Sequence, residues 1–445
     1  MPEDLPAPLL PIARQCALIE RGALTPGALL AATRARAIAL ARFRAYAALA
    51  EGAALAEGSA APAAGPLAGV ALAVKGNIAV AGLPHSEGSA LHRGRIAAAD
   101  AACVVRLRAA GAVPIGMATL SELAMYAPDN PAEPMGLNPW DAARTAGGSS
   151  TGCGVAVALG LAALGLGTDS GGSVRNPALH CGVVGFKPSL GAWDYAGVPQ
   201  PAPSLDTLGL LGRRVDCVAR GAAVLGTAPG SAARPCLLVP SGLVADSADA
   251  PTRALFAGVL ARLRDAGIAI VEGEVPLWRE ADAACGTVSL AEGGGWLGTL
   301  PDDAPIGARL KMRRLAARAL DPAVVEAARA TMRRFAAALR AALAAAGAIA
   351  VATPGWPFAA PLIGAEDIDL DGRRIPLDPA RSIFVRTANA AAAPAIMLPA
   401  GLYAAERVPF GLHLLAAPGE DAALLALAAV VEAALPAPPL PPIAP

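Results

Sequence analysis

Apolar positions in this chain follow two alternating rhythms. Stretches with helical spacing and a charged face give way, again and again, to short runs rich in Val and Leu, the mark of buried strands. Residues 8–22 and 27–50 read as helices. The second starts from Thr25 as N-cap with Pro26 at its first position, and Arg34, Arg36, Arg42 and Arg44 mark its wet side. A linker over 58–65 leads to a strand over 67–74 that ends at Lys75. Helix 99–110, strand 112–116 and a short helix 121–126 follow, then a proline-rich loop over 128–139 without apolar periodicity. Next come a helix over 153–160, a strand over 162–167 and a strand over 183–186. Further on, helix 215–225 leads to strand 236–239, helix 251–265 to strand 268–271, and helix 322–345 to strand 348–352. Strands 395–398 and 409–415 precede helix 420–434 and a Pro-rich tail. Such alternation predicts an α/β layer fold with a mostly parallel sheet. No repeat period and no long linker divides the chain, so one domain over 1–445 is expected.

The stretch 147–175 stands apart from this rhythm. It reads Gly147-Gly148-Ser149-Ser150-Thr151-Gly152, then an apolar run, then Gly167-Thr168-Asp169-Ser170-Gly171-Gly172-Ser173-Val174-Arg175. Glycine clusters allow backbone geometry that other residues resist and leave amide N–H groups uncovered. Hydroxyls beside bare amides are the material of a nucleophile and an oxyanion site. A single Gly/Ser cluster is ordinarily just a turn. Two of them around one core segment, joined by a lysine at a strand end, favour chemistry.

Composition narrows the function classes. Of 445 residues, 55% are hydrophobic and 4% aromatic, which suits a packed α/β protein and argues against disorder. Lys plus Arg and Asp plus Glu both total 36, so the formal charge is zero, and neither a nucleic-acid surface nor a polybasic membrane patch is indicated. The longest apolar run, 152–167, falls short of the ~20 residues of a spanning helix. The N-terminus lacks a secretory pattern, and a soluble, cytoplasmic protein is expected. Seven scattered cysteines show no CxxC or Cys/His ligand spacing, so buried free thiols are expected.

Lysine is scarce beside arginine, and Lys75 directly follows an apolar strand, where open α/β sheets place their sites. Burial lowers a lysine's pKa and makes its neutral amine available as a base. The alternative is a surface lysine at a strand end. The four histidines, His85, His92, His180 and His413, have no acidic partner at suggestive spacing, so nothing specific supports a Ser-His-Asp triad. The glycine clusters lack the Gly-Lys-Ser/Thr ending of a phosphate loop and the placement of a dinucleotide loop, and HExxH or zinc spacing is missing. No metal and no cofactor are expected.

At this point the chain resembles the amidase signature family of serine hydrolases. The match is close over 66 to about 225, and looser from 354 onward. It is carried by Pro66-Leu67-Ala68-Gly69-Val70 leading to Val74-Lys75, by Gly82-Leu83-Pro84, and by Asn138-Pro139-Trp140-Asp141. The two Gly/Ser clusters, Gly185-Phe186-Lys187-Pro188-Ser189 and Pro203-Ser204-Leu205-Asp206-Thr207 complete it. The resemblance implies one large mixed sheet covered by helices on both faces. Within it, 1–60 would hold N-terminal helices, 66–225 the signature core, 240–380 a variable substrate-side region, and 381–437 the C-terminal strands and helix. It also implies a Ser–cis-Ser–Lys triad, with Ser173 the nucleophile, Ser149 the bridging serine held by a cis peptide, and Lys75 the base. The amides of Ser170, Gly171, Gly172 and Ser173 would form the oxyanion hole, with Ser150, Asp169 and Arg175 as supports. Gly76 and Ala79 stand where the family often has aspartate, and Thr151 and Cys153 replace the more usual Gly and Ser.

The function so implied is cofactor-free hydrolysis of a linear carboxamide through an acyl-enzyme, with a small-molecule amide as partner and room for a homodimer. Two other roles use the same chemistry: the glutaminase (A) subunit of a tRNA-dependent amidotransferase, and hydrolysis of ureido compounds of the biuret or allophanate type. Against the first, Ser382 sits where such subunits tend to carry an acidic residue. A non-catalytic binding protein is the remaining alternative, and it predicts loss of triad residues. The substrate pocket is expected from loop 127–137, residues 193–201 and region 275–320, with Trp193, Tyr195, Trp296 and Met135 making it partly apolar. No charged anchor can be chosen from sequence.

Overall fold

A computed structural model of the chain describes residues 5–51, 65–125, 130, 132–231 and 234–443. The expected linker at 58–64, the end of the expected helix 121–126, and residues 127–129 and 131 of the expected pocket loop lie outside them. The strands are β1 (Tyr46–Leu49), β2 (Ala71–Lys75), β3 (Val113–Ala118), β4 (Leu164–Asp169), β5 (Val184–Lys187), β6 (Thr207–Gly212), β7 (Cys236–Pro240), β8 (Ala269–Gly273), β9 (Ala350–Pro354), β10 (Asp367–Leu370), β11 (Arg373–Pro376), β12 (Ala395–Leu402) and β13 (Pro409–Ala416). Eleven of the described strands form one sheet in the order β1-β3-β2-β4-β6-β5-β12-β13-β9-β7-β8, and β10 and β11 pair as a separate hairpin.

The sheet is mixed. Parallel pairing falls in two blocks, β3-β2-β4 and β9-β7-β8, within the one large mixed sheet expected. Between them β4, β6, β5, β12, β13 and β9 pair antiparallel. The physical reason lies in β6, a strand that the apolar pattern does not predict. It enters beside β4 in the opposite direction and turns the pairing over before the C-terminal block begins.

The principal helices are α1 (Ile12–Glu20), α2 (Pro26–Ala39), α3 (Ala102–Ala109), α4 (Thr151–Ala158), α5 (Arg175–Cys181), α6 (Val215–Leu225), α7 (Ala250–Asp265), α8 (Trp278–Gly298), α9 (Ala308–Arg318), α10 (Pro322–Ala346) and α11 (Asp421–Ala434). Sheet alternation sends neighbouring side chains to opposite faces. Leu72 and Val74 of β2 join the core shared with α6, α7 and α11, while Ala73 joins the core shared with α2, α4 and α5. Helices therefore bury an apolar layer on each face. The caps act as expected: Thr25 Oγ1 accepts the Ala28 N–H at 3.1 Å, and Asp321 accepts the Ala323 N–H at 2.8 Å. No helix among the described residues is long and apolar enough to cross a membrane. All seven cysteines are buried free thiols.

Two expectations need correction, and one long helix goes unpredicted. The helix expected over 27–50 stops at Ala39, and Tyr46–Leu49 instead pairs antiparallel with β3. Arg44, at φ 54°, turns the chain between them. Alanine's helix propensity is misleading in this segment, because an available sheet edge outweighs it. The helix expected at 121–126 is a single tight turn over Glu122–Ala124, with Leu123 and Ala124 both at positive φ. The long helix α8 is not predicted from the chain's apolar pattern, because Gly293, Gly294 and Gly295 obscure its period.

Helix α4 is buried on every side. It lies so close to its neighbours that a Cβ on Gly152 would stand 2.2 Å from the Ala45 carbonyl oxygen and 2.4 Å from the Thr119 nitrogen. The buried segment between the two Gly/Ser clusters is thus pressed against β3 and the residues entering β1, which fixes where its N-terminus delivers Ser149 and Ser150.

Candidate active site

Strand β2 ends by carrying Lys75 into the interior, where the whole residue is buried. Its amine donates to Ser149 Oγ at 2.8 Å, to Thr168 Oγ1 at 2.7 Å and to the Thr168 carbonyl at 3.3 Å. Burial dominates its titration and brings the amine down to about 7, against the opposing charges of Asp169 and Asp206. The nearby Cys153 thiol is itself pushed up to about 12 by burial, so it stays protonated at neutral pH. Lys75 is therefore a buried amine within reach of a hydroxyl, and not a surface cation.

The first Gly/Ser turn supplies Ser149. The Gly148–Ser149 peptide is cis, and Ser149 is fully buried. Thr151 Oγ1 donates to the Gly147 carbonyl at 2.6 Å, so this departure from the usual family residue closes the turn by a hydrogen bond. Ser150 Oγ donates to the Thr168 carbonyl at 3.2 Å. The Ser150 N–H donates to the Ser173 carbonyl at 3.0 Å, which ties the two turns together. Cys153 sits between β2 and β4, its Sγ 3.5 Å from the Leu166 carbonyl oxygen. A Cβ on Gly76 would stand 2.9 Å from Leu120 Cδ2, so Leu120 fills the space that an aspartate side chain would need there.

The second turn supplies Ser173, half-buried on the wall of a cavity of about 130 Å³. Asp169 braces that turn. Its carboxylate accepts the Gly172 N–H at 2.8 Å and the Val174 N–H at 3.0 Å, and it receives Arg175 Nη2 at 2.9 Å and Nε at 3.1 Å. Both side chains are fully buried. Burial alone would raise the Asp169 pKa, but the Arg175 charge and these hydrogen bonds overcome it and hold the carboxyl well below the usual range. Arg175 also donates to Asn389 Oδ1 at 2.7 Å and lies 3.0 Å from His413 Nε2. Gly172 gives its N–H to Asp169, whereas the amides of Ser170, Gly171 and Ser173 have no acceptor among the described residues.

The structure thus brings Lys75 and Ser149 into direct contact and sets Ser173 beside them through its backbone. No hydrogen bond joins the Ser149 and Ser173 hydroxyls among the described residues. None of the four histidines lines the cavity. His92 pairs with Glu87 at 3.4 Å, His180 packs edge-on against Trp356, and His413 serves Arg175.

The cavity takes lining residues from 193–201 and 275–320 but few of the side chains expected to make it partly apolar. Of the four residues named for it, Tyr195 alone lines it. Trp193 is buried, donating to Thr227 Oγ1 at 3.0 Å; Trp296 packs near Leu123 and Met125; and Met135 lines a different cavity. These placements follow from the packing of α8 and its neighbours, which no local pattern reveals. Charged groups take their place: Arg313, Arg381, Arg386 and Asp206 all face the cavity. Asp206 accepts hydrogen bonds from Ser170 Oγ and from the Ala202 N–H, and burial pushes its carboxyl up to about 6. Thr168, Asn77, Asp206 and Asn389 are site residues to which sequence reasoning assigns no role. Thr168 and Asp206 stand inside the motifs above, whereas Asn77 and Asn389 carry no local signal. Ser382 is buried with its hydroxyl on Asp282 Oδ2 at 3.2 Å, so an acidic group reaches this position from α8.

The chain is similar in sequence and fold to known proteins. The family model described as Amidase matches residues 29–230. The A subunit of the glutamyl-tRNA(Gln) amidotransferase of Symbiobacterium thermophilum is 38% identical over 248 residues, covering 51% of this chain and 51% of that protein. The chain thus spans about half the length of that curated relative. The same-named protein of Anaeromyxobacter sp. is 33% identical over 432 residues, covering 84% of this chain and 85% of the relative. The crystal structure of an amidase superposes with a TM-score of 0.87 at 29% identity, covering 96% of this chain and 100% of that one. With similarity of this extent in sequence and fold, and both serine turns and the lysine assembled in one place, the chain belongs to the amidase signature family.

Proposed function

We propose that the chain hydrolyses the C–N bond of a carboxamide through an acyl-enzyme on Ser173. The observation that carries this reading is the buried 2.8 Å hydrogen bond from Lys75 to Ser149, made by an amine that burial brings down to about 7. Near neutral pH that amine takes up a proton readily. Ser149 gives its proton to Lys75 while accepting one from Ser173 once the two hydroxyls meet. Ser173 Oγ then bonds to the carbonyl carbon, and the resulting oxyanion receives the N–H groups of Ser170, Gly171 and Ser173. As the C–N bond breaks, the proton returns through Ser149 to the departing amine. Water repeats the sequence on the ester, giving the carboxylic acid and free Ser173.

Replacing Ser173 by Ala tests the reading. Release of ammonia or amine from a panel of aliphatic, aromatic and ureido amides is expected to disappear, with the thermal unfolding transition retained. Undiminished turnover overturns the assignment. A second reading is supported by the names of the curated relatives: the chain would act as the glutaminase subunit of an amidotransferase, passing ammonia to a partner. A stoichiometric partner in protein purified from its host supports that role, and a catalytically competent isolated chain supports the stand-alone amidase.

A further inference from the structure

Asn176 is a buried residue of the Ser173 cavity that the proton path leaves unused. It is the second residue of α5, 4% exposed, and is pressed between the two serine turns. A Cβ on Gly147 would stand 2.7 Å from its carbonyl carbon, and one on Gly172 would stand 2.8 Å from its Nδ2. Its backbone N–H donates to the Gly172 carbonyl at 2.7 Å. Glycine at both positions, at φ 76° and 109°, lets the turns close on Asn176.

The amide of Asn176 has one orientation. An indole N–H can only donate, and Trp356 Nε1 donates to Asn176 Oδ1 at 2.8 Å. Nδ2 is thereby turned away from Trp356, and it has no acceptor among the described residues. Trp356 is itself buried and held edge-on, 4.4 Å from His180 and 5.6 Å from Phe358 between ring centroids. A fixed amide donor therefore stands beside Gly172, in the cavity that Gly148, Gly171 and Ser173 also line. Gly172 is the residue of this turn whose own N–H goes to Asp169. Where the turn lacks a backbone donor, Asn176 brings one from a side chain.

We propose that Asn176 is a further catalytic residue, its Nδ2 donating to the oxyanion that forms when Ser173 attacks a carboxamide. This rests on the Ser173 reading given above. The donor is oriented before the substrate arrives, so nothing must reorganise as charge develops on the carbonyl oxygen. The buried wall makes the contact stronger than it is in water. Asn176 acts together with the N–H groups of Ser170, Gly171 and Ser173. Trp356 is a positioning residue that acts through Asn176, because an amide turned over would present Oδ1 to the oxyanion and repel it.

The test compares Asn176→Asp with Asn176→Ala. The first keeps the shape and the acceptor for Trp356 but lacks the donor, and the second removes both. Each is expected to lower kcat for the fastest amide of the panel by about 100-fold or more, with KM nearly unchanged, the mark of a contact made in the transition state. Ethylboronic acid, whose boron takes the Ser173 oxygen to give a tetrahedral anion, is expected to bind both variants more weakly by a similar factor. Full kcat in Asn176→Asp overturns the proposal, because the residue then serves only to hold Trp356 and Gly172. A raised KM at unchanged kcat in both variants overturns it as well. Trp356→Phe leaves Asn176 in place and releases its amide, and is expected to lower kcat by a smaller factor. An unaltered kcat in this variant overturns the proposal even should both substitutions at 176 fail to fold. Failure of the Ser173 reading shows separately, as equal binding of ethylboronic acid by the wild type and Ser173→Ala. Equal binding by the wild type and Asn176→Asp, with Ser173→Ala weaker, removes the role of Asn176 alone.

Discussion

Lys75 and Ser149 lie 74 positions apart in sequence and meet through a 2.8 Å hydrogen bond in the interior. Neither group is informative alone: a buried lysine is costly and a serine hydroxyl is weakly nucleophilic. Together, with Thr168 as the second acceptor for the amine, they form the start of the proposed proton path to the half-buried Ser173.

The first prediction concerns the rate. Loss of the neutral Lys75 amine on acidification should give kcat/KM an acid limb with a midpoint near pH 7. Asp206 opposes the effect of burial on Lys75, so Asp206→Asn should move that limb to lower pH. A pH profile that is flat from 5.5 to 8.5, on the order of three units around that midpoint, would count against Lys75 as the base.

Stability carries the opposite side of the same shift. The ordinary lysine value is 10.5, and Lys75 is lowered to about 7 in the folded chain. Between those values the unfolded chain binds more protons, so stability rises with pH across that window; the cost of burying the ammonium is present in full below about 7. Lys187 is buried and lowered to about 7 as well, and contributes in the same direction. Lys75→Met should therefore flatten, without abolishing, the rise in denaturant midpoint from pH 7 to 10. An unaltered slope would contradict a lowered Lys75.

Breaking the Asp169–Arg175 pair tests the brace behind the Ser173 turn. Asp169→Ala leaves a fully buried guanidinium without its carboxylate and frees the Gly172 and Val174 amides. A loss of about 3–5 kcal/mol is expected by urea unfolding, accompanied by loss of turnover. A change within the range of a surface substitution would show that Asn389 and the Val385 carbonyl suffice to hold Arg175.

Gly152 offers a packing test remote from the proton path. Gly152→Ala drives a Cβ against the Ala45 carbonyl and the Thr119 nitrogen, both backbone atoms. Destabilisation of about 1–3 kcal/mol or more is expected, read as a lowered thermal midpoint. An unchanged midpoint would mean that α4 can shift freely relative to β3.

Local signals and long-range packing divide the fold between them. Helix α6 is legible at its observed bounds, Val215–Leu225, because its apolar period and terminal glycine are self-contained. Strand β6 is not legible, since Thr207–Gly212 is fully buried and its run of Leu and Gly lacks alternation. The segment Tyr46–Leu49 becomes a strand only because β3 offers it an edge.

The site divides similarly. Sequence by itself determined the family, the two serine turns and the lysine that accompanies them, because ordered motifs record close backbone packing that few residues tolerate. Tertiary structure alone decided that Gly172 gives its N–H to Asp169, that Thr168 shares the Lys75 amine, and that the cavity is lined by arginines rather than by Trp193, Trp296 and Met135. Those facts depend on contacts between helices, strands and loops distant in sequence. No local pattern of residues encodes which buried group a charge will face.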